Sequence, residues 1–236
     1  LVSSSAASDV YKRQIFGSTK KFLKNYDDAI HSFCHCLPNT WHLMSVMLSC
    51  TSNINWFINT FDSSINEITK CLKESISSDT SMSNSPYYLP YLTGERTPLN
   101  DPHVRASFHN MGIETDKNTL VYSLIEGISF GLFDNYQALS KTGIKLNNLF
   151  VIGGGSKNKY WIKLLASILD RDLAITEASD AMAAYGAARL AYLGFNNLKH
   201  QDVLKPPLVK EIIKKNNNTK SILKDRFDGW KKFYVK

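Results

Sequence analysis

Apolar positions recur with two different periods along the chain, and segments of the two kinds alternate. From Thr119 to Leu139 the apolar side chains Leu120, Leu124, Ile128, Leu132 and Tyr136 fall four apart. That spacing predicts a helix with one apolar face. Asp116 to Asn118 supply its cap, and Gly143 ends it. Trp161, Leu164, Leu165, Ile168 and Leu169 predict a second helix. Met44, Met47, Leu48, Thr51, Ile54 and Phe57 predict a third over Trp41 to Phe61, its methionines and aromatics facing the core. Ser63 to Ser85 reads as a weak helix (Ile65, Ile68, Leu72) fading into a polar surface linker from Ser75. Strands are expected at Ala29 to Cys34, Leu149 to Ile152 and Leu173 to Thr176, with an aromatic strand from Tyr87. Phe16 to Tyr26 reads as a strand and turn. Pro38-Asn39-Thr40 is a turn. Ala181 to Leu193 is a helix crowded with small residues and capped by Gly194, which suits burial between two layers or a hinge. Asn196 to Asn218 is polar and is expected to extend over the surface. Phe227, Trp230, Phe233 and Tyr234 form a stripe on a last helix that should dock on the core. Strands alternating with helices define an α/β protein.

The chain is organised around Val151-Ile152-Gly153-Gly154-Gly155-Ser156-Lys157-Asn158-Lys159-Tyr160-Trp161. An apolar strand stops at three glycines, and a helix follows. Glycines let a backbone approach a ligand closely. The helix start offers unpaired N–H groups and the positive end of its dipole, which suit a phosphate or a polar nucleoside edge. The stretch is neither a GxxxxGK[ST] phosphate loop nor a GxGxxG fingerprint. A plain tight turn fits the same residues.

Composition changes this picture little. The 236 residues are 43% hydrophobic and 21% charged, as in ordinary globular proteins. The net charge of +7 would suit nucleic acid, but the lysines are scattered, so no nucleic-acid partner is expected. No apolar run reaches the ~20 residues of a membrane span, and no signal-like apolar segment opens the chain. A cytoplasmic protein that does not act on membranes is expected. Cys34, Cys36, Cys50 and Cys71 contain no CxxC pair. On a strand His35 would point away from Cys34 and Cys36, so buried thiols are expected rather than a metal site. Residues 1–14, LVSSSAASDVYKRQ, fit nothing after them and resemble a translated adaptor. They are read as a non-native leader in preference to a targeting peptide, and residues 15–236 as the domain. In Gly94-Glu95-Arg96-Thr97-Pro98 the charged pair is either a loop salt bridge or a loop near a ligand. Glu126 is either a solvated charge or a buried anchor, and Gly127 and Gly131 suggest close packing on a neighbour.

Taken in order, these segments resemble one family. The stretches are Ala29-Ile30-His31-Ser32-Phe33-Cys34-His35, Leu37-Pro38, Trp41-His42, Leu89-Pro90-Tyr91-Leu92 and Gly94-Glu95-Arg96-Thr97-Pro98. Glu126-Gly127, Ile152-Gly153-Gly154-Gly155, Tyr160-Trp161 and Gly186-Ala187-Ala188-Arg189-Leu190-Ala191 follow. Together they resemble the C-terminal half of the FGGY carbohydrate kinases, above all the branch that phosphorylates D-xylulose. The resemblance implies an actin-like, ribonuclease-H-like ATPase domain, incomplete at its N-terminal edge. It implies ATP with Mg²⁺, a small sugar substrate and a possible homodimer. Gly154 would contact the nucleotide through its backbone and Asn158 through its amide. Gly153, Gly155 and Ser156 would complete the turn, and Thr51 would line the adenine side. The helix from Ala181 would connect two domains that close on the substrate. Met182 stands where the family usually has glycine, which would crowd the nucleotide or the hinge. The family's catalytic aspartate and its Gly-Thr-Ser-Gly loop have no counterpart here, and neither Asp134 nor Asp180 inherits the base role. The chain therefore reads as an N-terminally truncated kinase with no catalytic or metal residues of its own, inactive alone. Another FGGY sugar kinase acting on ribulose or a related polyol, and a non-catalytic ATP-binding module, are the alternatives.

Overall fold

The computed structural model describes residues 13–24, 29–77, 79–177, 179 and 181–234. The leader proposed at residues 1–14 lies outside them up to residue 12, as do Tyr26 and Asp180.

Three antiparallel strands come first: β1 (Arg13–Thr19), β2 (His31–Cys34) and β3 (Trp41–Met47), with β3 in the middle. Helices α1 (Ser52–Thr60), α2 (Ile65–Ser75) and α3 (Asp79–Asn84) lead to a hairpin of β4 (Tyr87–Leu89) and β5 (Ser107–His109). Helix α4 (Lys117–Lys141) follows, then β6 (Leu149–Val151), α5 (Lys159–Ile168) and β7 (Leu173–Thr176). The chain ends with α6 (Met182–Phe195), α7 (His200–Val203), β8 (Val209–Ile213) and α8 (Lys220–Trp230). In the second three-stranded sheet β6 and β7 run parallel and β8 pairs antiparallel to β7.

Helix α4 is the spine. Asp116 and Thr119 close a capping box at its start, with the Thr119 N–H donating to Asp116 Oδ1 at 2.8 Å. It packs on α2, β3, β4 and α5, and residues Val121 to Gly131 are buried without a break. Around it lies the main core, with Phe57, Tyr88, Tyr91, Trp161 and Trp230. Trp230 anchors α8 by donating its indole N–H to the Tyr88 carbonyl at 2.8 Å, so the last helix docks as its aromatic stripe predicts. Among the described residues no helix is long and apolar enough to cross a membrane.

Four expectations are corrected. The helix expected over Trp41 to Phe61 is a strand through Met47, and α1 starts only at Ser52. The linker expected from Ser75 contains α3, whereas the polar segment after Asn196 lies at the surface as expected while carrying α7 and β8. Cys50 and Cys71 are buried thiols, but Cys34 and Cys36 are exposed, because β2 ends at Cys34 and Cys36 lies in the turn beyond it. Helix α6 is not sandwiched between layers. It rests on α7, where the Arg189 Nε donates to the Val203 carbonyl at 3.1 Å, and its Tyr185, Tyr192 and Phe195 are exposed.

Candidate functional site

Strand β6 ends at Val151, and the chain turns at Gly153 with φ +90°. That backbone conformation is strained for any residue with a Cβ. Gly154–Lys157 then form one 3-10 turn. Asn158 caps α5 by accepting the Trp161 N–H at 3.1 Å, and its own amide donates to Thr69 Oγ1 on α2 at 3.1 Å. The Asn158 side chain is thus held by internal partners.

The turn is open on one side. Among the described residues a Cβ added to Gly153 or Gly154 would meet nothing within 4 Å, whereas one on Gly155 would lie 3.0 Å from the Trp161 ring. Ser179 holds the turn from the next loop. Its carbonyl accepts the Gly153 N–H at 2.7 Å. Ser156, only 3% exposed, donates its hydroxyl to the Gly153 carbonyl at 2.7 Å and lies 2.8 Å from the Ser179 hydroxyl. Because β6 and β7 are parallel, the glycine turn and the Ser179 loop leave the same sheet edge. Ligands in open α/β sheets bind at that carboxyl edge of the strands. Helix α6 opens three residues after Ser179, and Ala181 gives it no side-chain cap. Met182, its first residue, is buried.

The structure therefore groups Gly153, Gly154, Gly155, Ser156 and Asn158. Thr51 is the residue before α1, where its carbonyl accepts the Ile54 N–H at 3.1 Å. No hydrogen bond joins Thr51 to the turn among the described residues. Ser179 and Thr69 were missed from sequence. The parallel β6–β7 pairing is the signal that points to Ser179, while Thr69 carries none. Among the described residues no cluster of three His, Cys, Asp or Glu side chains is arranged for a metal ion.

Among the described residues Glu95 and Arg96 form no salt bridge with each other. Glu95, 3% exposed, accepts the Leu48 N–H at 2.9 Å and the Arg96 N–H at 2.7 Å through Oε1, and its Oε2 has no partner among the described residues. Burial pushes its carboxyl from an ordinary 4.5 up to about 8, overriding those donors, and Asp134 adds to the rise. Between those two values the folded chain holds a proton that the unfolded chain has lost. Glu95 thus contributes most to stability below 4.5, and the contribution fades as pH rises to about 8. The half-buried His31, His35 and His42 have lowered values, chiefly from burial, and act in the opposite sense below their ordinary 6.5. The Glu95→Gln variant isolates the carboxyl, since its amide oxygen can accept the same two N–H groups. It should match the wild type in denaturant at pH 5 and exceed it at pH 9 by more than about 1 kcal/mol. Equal stability at both values contradicts the assignment.

A strand, a glycine turn and a helix thus meet at the carboxyl edge of two parallel strands, where ligands bind in open α/β sheets. The chain belongs to the FGGY family of carbohydrate kinases, whose C-terminal domain matches residues 16–195. The xylulose kinase of Escherichia coli is 35% identical over 196 residues, which is 83% of this chain and 40% of the relative. That of Staphylococcus xylosus is 32% identical over 211 residues, 88% of this chain and 43% of the relative. A xyloylose kinase from Brucella ovis superposes with a TM-score of 0.86 at 31% identity, covering 95% of this chain and 46% of that one. The ADP-containing glycerol kinase of Plasmodium falciparum, at 18% identity and a TM-score of 0.76, covers 93% of this chain and 44% of its own and shares the fold. The fold is the actin-like ATPase fold of these kinases. The chain spans less than half the length of these relatives.

Proposed function

We propose that this chain is the nucleotide-holding part of an ATP-dependent sugar kinase acting on D-xylulose. The intact enzyme would transfer the γ-phosphoryl group of ATP to the sugar's 5-hydroxyl, giving xylulose 5-phosphate. The observation that carries the reading is the open side of the turn at Gly153 and Gly154, in a chain of this family. Gly154 would meet the nucleotide through its backbone, with Gly153 and Gly155 completing the turn on either side of it. Ser156 and Asn158 would shape the turn, and Thr51 is retained on the adenine side on resemblance alone. ATP fits the open glycine backbone, and Mg²⁺ would arrive with its phosphates, where it neutralises charge developing in phosphoryl transfer.

No aspartate here is proposed as the base. Asp134 is buried and bonded to Lys231 at 3.1 Å and to the Tyr234 hydroxyl. Turnover of the sugar would therefore need residues outside these 236. The reading places the enzyme in the cytoplasm, acting on a small sugar and not on nucleic acid or membranes, with a homodimer open to test by sedimentation.

Titration of the purified chain with MgADP tests the central part. The wild type should bind, and Gly154→Asp should weaken binding about 100-fold by setting a carboxylate against the phosphates. A variant that binds as well as the wild type removes the glycine turn from the site. Xylulose-dependent ADP release by the chain alone would overturn the placement of the base elsewhere. Faster turnover with ribulose in a complete enzyme carrying this domain would move the substrate to the polyol alternative.

A further inference from the structure

We infer that Ser156 and Ser179 act as a positioning pair that sets the shape of the glycine turn and its affinity for nucleotide. The inference rests on the nucleotide-site reading above and names two residues that hold the site without touching the ligand.

A hydroxyl has one proton to give. That of Ser156 goes to the Gly153 carbonyl at 2.7 Å. In the 2.8 Å contact between the two hydroxyls, Ser179 is then the donor and Ser156 the acceptor. The Ser179 carbonyl meanwhile accepts the Gly153 N–H at 2.7 Å. Both polar groups of Gly153 are thus committed to the serine pair, at the residue whose φ of +90° turns the chain. The N–H groups of Gly154 and Gly155 have no acceptor among the described residues. Successive N–H groups of this kind form an anion-binding concavity when the turn is rigid. Ser156 is buried, so its two bonds are shielded from water, and losing one leaves an unsatisfied buried group. The pair also ties the turn to the loop that opens α6, 23 residues on.

The test uses the 236-residue chain with Ser156→Ala, Ser179→Ala and Ser179→Thr. Three readouts are taken: the dissociation constant for MgADP by calorimetry, the melting temperature, and the exchange rate of the Gly153 amide without nucleotide. Each alanine variant should weaken ADP binding about five- to tenfold and speed Gly153 exchange, with melting lowered by only a few degrees. Ser179→Thr keeps the hydroxyl and should stay within about twofold. The double alanine variant should lose little beyond the worse single one, because the two hydroxyls act as one unit. A binding wild type whose alanine variants bind equally well, or lose affinity only in step with melting while Gly153 exchange is unchanged, overturns the inference alone. A folded wild type that binds no ADP overturns the nucleotide-site reading and this inference with it.

Discussion

Replacing Arg226 by Met should lower the unfolding free energy by about 3–5 kcal/mol, measured by urea denaturation at pH 7. Arg226 on α8 and Glu126 on α4 form a two-pronged ion pair, with Nε to Oε1 and Nη2 to Oε2 both at 2.6 Å. Their side chains are 4% and 1% exposed. The remaining donors of Arg226 bind the Ser83, Ser85 and Pro86 carbonyls at 3.2, 3.0 and 3.1 Å. Tyr122 donates to Glu126 Oε1 at 2.9 Å, and the Tyr87 ring lies 4.7 Å from the guanidinium. Methionine fills the space of the side-chain stem but leaves a buried carboxylate without its counter-charge and removes the guanidinium donors from the Ser83, Ser85 and Pro86 carbonyls, of which Pro86 keeps the Ser123 hydroxyl at 2.7 Å. That loss is a large share of the 5–15 kcal/mol that holds a domain together. Changing Glu126 and Arg226 together to Met should recover much of it, since the cost lies in the orphaned charge. An Arg226→Met chain as stable as wild type would show that the pair does not anchor α8.

Gly127→Ala should cost about 3 kcal/mol, at the upper end for overpacking a core. A Cβ on Gly127 would overlap the carbonyl oxygen of Tyr88 and lie 3.0 Å from its carbon. Those are backbone atoms of β4, so relief requires parting α4 from the hairpin. The same carbonyl accepts the Trp230 indole N–H, and a shift there loosens α8 as well. Gly131→Ala is the control. Its Cβ would come 3.0 Å from Met47 Cε, the movable end of a flexible side chain. Alanine also suits a helix better than glycine by about 1 kcal/mol. Gly131→Ala should therefore stay within about 1 kcal/mol of wild type. Equal losses at the two positions would contradict the packing described for α4.

Where local pattern and burial agree, the sequence is readable. Helix α4 shows its period over more than five turns and carries its own cap, so its expected span of Thr119 to Leu139 differs from the observed Lys117–Lys141 by two residues at each end. The strand, glycine turn and helix around Gly153 were legible for the same local reasons. Strand β3 was not. Met44, Met47 and Leu48 satisfy helical spacing, but Leu43, Ser45 and Met47 alternate as well, and these three are the fully buried ones. Pairing with β1 and β2 on both sides decides the outcome, and no short window shows that pairing. Small residues in α6 suggested burial, yet Phe195 is 89% exposed. Small side chains permit close packing but do not supply a neighbour. Glu126 was recognisable as a possible anchor, while its partner Arg226 lies 100 residues away and had no local mark. In the site, Gly153 to Asn158 form one contiguous segment and were found together, whereas Ser179 joins them only through the parallel register of β6 and β7.

The most direct test of the account is a heteronuclear amide spectrum of the chain titrated with MgADP. The nucleotide-site reading predicts saturable shifts centred on Gly153, Gly154, Gly155, Ser156 and Ser179. Shifts confined instead to the cavity of about 260 Å³ beneath Pro98, Asp134 and Lys231, or no saturable shift from a folded chain, would contradict it.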